Sequence, residues 1–245
     1  MKIAPVDIAY LFELFRDQAE PLLEQWHGRR VPEREDPARL VIAMGDLCKV
    51  LRGVEAHRSG ESEQSPPEPA EVEALGNFGL QLLNDLSELA NEVEMPECAR
   101  QLENLCLPLG VWIARQDAEI RQLAPVVNAL AWYANQTQSP EDMRELYGLA
   151  SEIMDAVSPA IIEGAGGPLH PWRLLVINRA IIATRTLTPE LMEPAFTSVV
   201  EQMPDDAARF FEEGMQQMDR VGYPQPVREV MGRFHALFND ARTLH

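Results

Sequence analysis

Positive charge is what this sequence has least of. Lysine occurs only at Lys2 and Lys49, so 19 of the 21 basic residues are arginine, and 39 acidic residues leave a formal net charge of -18. That balance repels nucleic-acid phosphates and anionic lipid surfaces, which argues against nucleic acid or a membrane as partner. It favours solubility, or an acidic face for a basic partner. The preference for arginine, with abundant alanine, proline and leucine, matches a GC-rich bacterial coding sequence.

Cysteine is also scarce. Cys48, Cys98 and Cys106 form no closely spaced pair of the kind zinc sites use, and three thiols suit a reducing compartment better than a disulfide framework. They are expected to be buried structural thiols, with no metal. Long apolar runs are missing as well, and nothing approaches the ~20 residues that cross a bilayer. The start, Met1-Lys2-Ile3-Ala4-Pro5, soon meets Asp7, Glu13 and Arg16, so the apolar core of a secretory signal is not found there. A cytoplasmic protein is expected.

Catalytic signatures are absent too: the sequence contains no H-E-x-x-H, no G-x-S-x-G and no G-x-x-x-x-G-K-[ST]. Glu24-Gln25-Trp26-His27 has the E-x-x-H spacing of di-iron bundles, but such sites need the motif twice with further carboxylates, and here it occurs once. The expectation is a protein that is not an enzyme and holds no cofactor.

What the chain does have is helical periodicity, centred on Leu75 to Ile113. Leu75, Phe78, Leu82, Leu86, Leu89 and Val93 recur at steps of three and four, lining one face of a helix. Glu94-Met95-Pro96 interrupts, because proline lacks an N–H and disfavours helix in the residue before it. A second stripe follows at Leu102, Leu105, Leu109 and Trp112. Neither helix is stable alone in water, so the two fold back as a hairpin.

The same grammar runs along the chain. Residues 1–57 form an N-terminal helical hairpin, with Pro21 kinking or splitting its first helix near Ala19-Glu20 and Gly28 to Pro32 as its loop. Residues 58–70 are acidic, rich in serine and proline and free of large apolar side chains. They cannot offset their ordering entropy and read as a flexible linker. Residues 71–245 form the main domain, on which the hairpin is expected to dock. Ala118 to Ala134 reads as one helix, and Ser139-Pro140-Glu141-Asp142, Thr188-Pro189-Glu190 and Pro204-Asp205-Asp206 open others with cap, proline and acids. Leu174 to Ile182 is apolar nearly all round, the pattern of the most buried helix. The final pair is Phe210 to Val221 and Val227 to Leu237. The fold is therefore expected to be all-α, with about nine to eleven helices stacked as hairpins.

Met95-Pro96-Glu97-Cys98-Ala99-Arg100 and Tyr223-Pro224-Gln225-Pro226-Val227-Arg228 share an apolar residue, a proline, two spacers, a small apolar residue and an arginine. With these turns, and with Ser87, Ala99 and Cys106 as small residues for helix crossings, residues 72–244 resemble the tetratricopeptide-type α-solenoids. The signature Trp-Leu-Gly-Tyr pattern and a steady 34-residue period do not occur, and an irregular helical bundle is the alternative architecture. The resemblance implies binding of a protein or peptide rather than catalysis. Separately, Asn84-Asp85 with Glu88 and Glu92 resembles in part the magnesium-binding helix motif of terpene synthases. Glu88 stands where a hydroxyl is expected, and a solvated polar face accounts for these residues more simply.

Four residues are candidates for a binding surface. In the loop Gly164 to Trp172, His170 can carry a proton and Trp172 offers a flat apolar contact. Arg179 and Arg185 flank the most apolar helix, where a cation must either meet a carboxylate or face a groove. The expected function is a protein–protein interaction scaffold or adaptor that takes a polypeptide partner in a groove between hairpins. The alternative is a small-molecule-binding protein, or an enzyme, with a pocket near His170, Trp172 and Arg179. Self-association into a homodimer is a third use of the same apolar surface.

Overall fold

The structure is a computed structural model that describes residues 5–26, 36–58, 60 and 68–242, excepting the side chains of 238–242. The expected loop at 28–32, most of the 58–70 linker, and His27 of the E-x-x-H motif lie outside the described residues. Among the described residues twelve helices follow in order: α1 (Ile8–Trp26), α2 (Pro37–Arg58), α3 (Pro69–Glu92), α4 (Pro96–Asn104), α5 (Cys106–Arg115), α6 (Leu123–Gln136), α7 (Pro140–Asp155), α8 (Pro159–Glu163), α9 (Pro171–Arg185), α10 (Pro189–Gln202), α11 (Pro204–Val221) and α12 (Gln225–Arg242). Eleven run nine residues or more, while α8 is a five-residue turn. Among the described residues the fold is all-α, with one isolated parallel bridge, Ile120 to Val157. Eight helices open on proline as their first residue, where the missing N–H would have had no intrahelical partner.

The chain divides into two compact units, Met1–Tyr133 with Glu152–Gly164, and Ala134–Ser151 with Ala165–His245. In the first, α1 and α2 pair and pack on the hairpin that α3 makes with α4 and α5. Contacts between the N-terminal hairpin and the chain beyond residue 70 are specific. Cys98 Sγ donates to the Gln18 carbonyl at 3.4 Å, and the Trp112 indole N–H donates to Glu55 at 3.1 Å. The stripe residues Leu82, Leu86, Leu89, Leu102, Leu105, Leu109 and Trp112 are all buried. Phe78 is half-exposed instead, at the edge of its stripe.

Close helix crossings in this unit are made by glycine. A Cβ built on Gly76 would lie 2.6 Å from Ile113 Cγ1, and one on Gly110 would lie 2.9 Å from Val126 Cγ1. Ser87 and Ala99 also meet, the serine hydroxyl donating to the Ala99 carbonyl at 2.9 Å. Cys48, Cys98 and Cys106 are buried and unpaired.

The turn at Glu94 has a clear cause. Glu94 sits at φ 62°, its N–H donates to the Asn91 carbonyl, and the Met95 N–H reaches back to the Ala90 carbonyl at 2.8 Å, which is a Schellman cap. The Tyr223 turn uses a simpler left-handed cap, in which Gly222 sits at φ 77° and its N–H donates to the Met218 carbonyl at 3.0 Å.

Three details depart from the sequence reading. The second arm of the hairpin expected over Leu75 to Ile113 breaks into α4 and α5 at Leu105. Pro108 has no N–H for the Asn104 carbonyl, and its ring crowds that carbonyl. Conversely, the split that was one of the two outcomes expected at Pro21 does not occur, and α1 runs unbroken; Asp17 and Pro21 are both exposed, so water can satisfy the carbonyl left over. Finally, the helix expected from Ala118 begins only at Leu123. Asp117 takes φ 57° and Ile120 exchanges bonds with Ala156 and Ser158, while Asn77 Oδ1 accepts from the Arg121 and Gln122 N–H groups.

In the second unit, α9 packs on α10, and α10 packs on α11 and α12. Four phenylalanines from three helices cluster here, Phe196 and Phe211 buried and Phe210 and Phe234 half-buried. Phe196 meets Phe210, Phe211 and Phe234 edge-on, with centroids 6.0, 5.2 and 5.3 Å apart. Such pairs add to the area they bury.

Candidate functional site

The sequence pattern makes α9 apolar on more than one side, and the structure shows what becomes of the excess. Leu175, Val176, Ala180, Ile182 and Ala183 are buried, but Ile177 is half-buried and Ile181 is 43% exposed. The most buried helix is instead α5, in which every residue from Cys106 to Ile113 is buried. The second apolar side of α9 faces a groove.

That groove is bounded by α9, α11 and α12, has a volume of about 630 Å³ and opens to solvent. Its apolar lining comprises Ile177, Ile181, Phe210, Met218, Tyr223 and Met231. Gly214 lets α11 approach α12, since a Cβ there would lie 2.7 Å from Met231 Cε. Arg185, Arg209 and Arg220 supply positive charge around it, against Asp206 and Glu213. Asp206 is already engaged, by Arg173 on one oxygen and by Arg209 at 3.1 Å on the other.

The four residues singled out from sequence do not converge. His170 is the N-cap of α9, its Nδ1 accepting the Trp172 backbone N–H at 3.3 Å. Trp172 is 5% exposed and belongs to the core. Arg185 alone lines the groove, and two of its N–H groups are held by the Ala134 and Thr137 carbonyls at 2.6 and 2.5 Å. Arg179 lies elsewhere, among α7, α9 and α10. It donates to Ser151 Oγ at 2.9 Å, Ser198 Oγ at 3.3 Å and Tyr147 Oη at 2.8 Å, and its guanidinium stacks 4.9 Å from the Tyr147 ring centroid. Neither of the two outcomes foreseen for it, a carboxylate or the groove, describes this setting.

The sequence reading missed Ile177, Ile181, Phe210, Met231 and the rim arginines Arg209 and Arg220. The usable signal was the all-round apolarity of α9: a helix with two apolar sides needs either two neighbours or a ligand.

Elsewhere, Asn84 and Glu88 are joined by a hydrogen bond of 3.1 Å. No group of three or more histidine, cysteine or acidic side chains is placed to hold a metal ion among the described residues. Among the same residues, no helix is long and apolar enough to cross a membrane. No family model, curated protein or solved structure matches the chain.

Proposed function

We propose that this is a non-enzymatic interaction protein whose groove between α9, α11 and α12 takes an amphipathic helical segment of a protein partner. The observation that carries the reading is the groove itself, an open apolar channel between the α9–α10 pair and the α11–α12 pair. Its volume falls within the range of ordinary ligand sites, yet it is open where a small-molecule pocket would be enclosed. An amphipathic helix lays its apolar stripe into such a channel.

Charge favours one kind of occupant. Three arginines face two acids around the groove, and both Asp206 oxygens are engaged, so the local balance is positive in a chain of formal net charge -18. A segment with an apolar face and acidic flanks complements it. Packed neighbours such as α3 with α4, α9 with α10 and α11 with α12 support a stacked-hairpin, tetratricopeptide-like reading of the architecture. Three buried free thiols support a reducing, cytoplasmic setting, and the preference for arginine over lysine supports a bacterial source.

The test uses two labelled synthetic helices with the same leucine stripe, one flanked by glutamate and one by lysine. Fluorescence anisotropy should show the glutamate version binding the wild type more tightly, with affinity falling as salt rises. Ile181→Glu, at an already exposed position, should weaken binding about tenfold or more. Equal weakening by Val50→Glu, in the other unit, would overturn the assignment, as would tighter binding of the lysine version. Light scattering without peptide tests the competing occupant: a concentration-dependent dimer abolished by Ile181→Glu would assign the groove to self-association.

A further inference from the structure

Arg179 is a cation with neutral partners. The second unit gives Arg173 and Arg209 to Asp206, Arg228 to Asp219 and Arg233 to Glu193, yet no carboxylate of the described residues pairs with Arg179. Three hydroxyl oxygens surround it instead.

A guanidinium has five N–H groups. The Nε–H points to Ser151, one Nη1–H to Ser198 and one Nη2–H to Tyr147, which leaves one N–H on each terminal nitrogen. The serine protons are in use, Ser151 donating to the Tyr147 carbonyl at 2.9 Å and Ser198 to the Pro194 carbonyl at 3.0 Å. Both serines are thereby fixed as acceptors that orient the guanidinium. Tyr147 accepts from Arg179, and its own O–H proton has no acceptor among the described residues. Three donors therefore remain around one half-buried positive charge, and stacking on the Tyr147 ring holds its plane.

We propose that Arg179 and Tyr147 form a receptor for a carboxylate group, with the two remaining terminal N–H groups and the phenol O–H as its donors. A planar guanidinium fork matches the two oxygens of a carboxylate, and charge-assisted hydrogen bonds of this kind are the stronger ones. The carboxylate belongs either to a small organic acid or to the end of a peptide. The proposal is independent of the groove, because Arg179 and Tyr147 do not line it.

The experiment titrates protein labelled with ¹⁵N at arginine Nε, following the Arg179 Nε–H resonance at constant ionic strength. The probes are sodium acetate, sodium phosphate and an acetylated tripeptide with a free C-terminus, with sodium chloride as the reference salt. Acetate should give a saturable shift at millimolar concentration, and tighter saturation by the tripeptide would assign the peptide source. Tyr147→Phe keeps the ring and removes one donor, so acetate should saturate several-fold more weakly. In Arg179→Lys, checked for folding by circular dichroism and followed by calorimetry, acetate binding should fall at least tenfold. Linear shifts with every anion, an unchanged affinity in Tyr147→Phe, or saturation by phosphate but not acetate would each overturn the proposal.

Discussion

Glu55 and Trp112 are joined across two helices of the first unit: the indole N–H of α5 donates to a carboxylate oxygen of α2 at 3.1 Å. The same oxygen accepts the Ile8 backbone N–H at the start of α1, at 3.4 Å. One half-buried carboxylate thus joins three helices.

Burial raises the Glu55 pKa above its ordinary 4.5, and the nearby Asp7 adds to the rise, while the bonds from Ile8 and Trp112 lower it. Because the folded protein binds this proton more readily than the unfolded chain, the Glu55 contribution to stability grows as pH falls. Its cost is full above the raised folded value and is gone below 4.5. Comparing urea unfolding of wild type with Glu55→Gln should therefore show the wild type gaining on the variant as pH drops through that window. A difference that stays flat, or that widens against the wild type on acidification, would refute this.

Glu94 holds a left-handed backbone that glycine adopts more easily. Its side chain is exposed, so Glu94→Gly loses no packing. The left-handed penalty outweighs the extra entropy glycine gives the unfolded chain, and the variant should gain about 0.5–1 kcal/mol. Urea denaturation measures it, and a loss of stability would contradict the account of the turn.

Gly76 should behave in the opposite sense. An alanine Cβ would meet Ile113 Cγ1 at 2.6 Å, and that atom sits next to the branch point of a fully buried side chain with little freedom to yield. Gly76→Ala should cost about 1–3 kcal/mol. Adding Ile113→Ala removes the clashing atom, so the two changes together should cost less than the sum of their separate effects. Strict additivity in this cycle would show that the close approach is not the cause.

The thiols should be inert while the protein is folded. Burial pushes Cys48 up to about 11 and raises Cys98 and Cys106 as well. At pH 8 an alkylating reagent should label none of the three within minutes, and all of them once guanidinium is added. Rapid labelling of the native protein would point to local opening of the first unit.

How much of this was legible in the sequence depended on where the deciding information lay. Helix starts were readable at Ser139, whose hydroxyl accepts the Glu141 and Asp142 N–H groups at 3.2 and 3.4 Å, because caps are local. The break at Leu105 was local too, since Pro108 lies one helical turn beyond Asn104, but it was masked by a leucine stripe that continues across it. The late start of α6 was not readable, as it depends on Asn77 and Ser158, distant in sequence. The site was harder still. His170 looked like a proton carrier and serves as a cap, while Phe210 and Met231 fell within the final helix pair with nothing to single them out. Only their place beside the spare face of α9 makes them groove.

Ile181 and Ile182 are adjacent in the chain and differ by a single peptide step, yet one is 43% exposed and the other fully buried. Folding constrains the second wherever this protein exists. It places almost no demand on the first. An isoleucine kept at 181 across diverged copies would therefore record pressure from an occupant, whereas drift there toward glutamate or lysine, with 182 unchanged, would mean that the groove works alone.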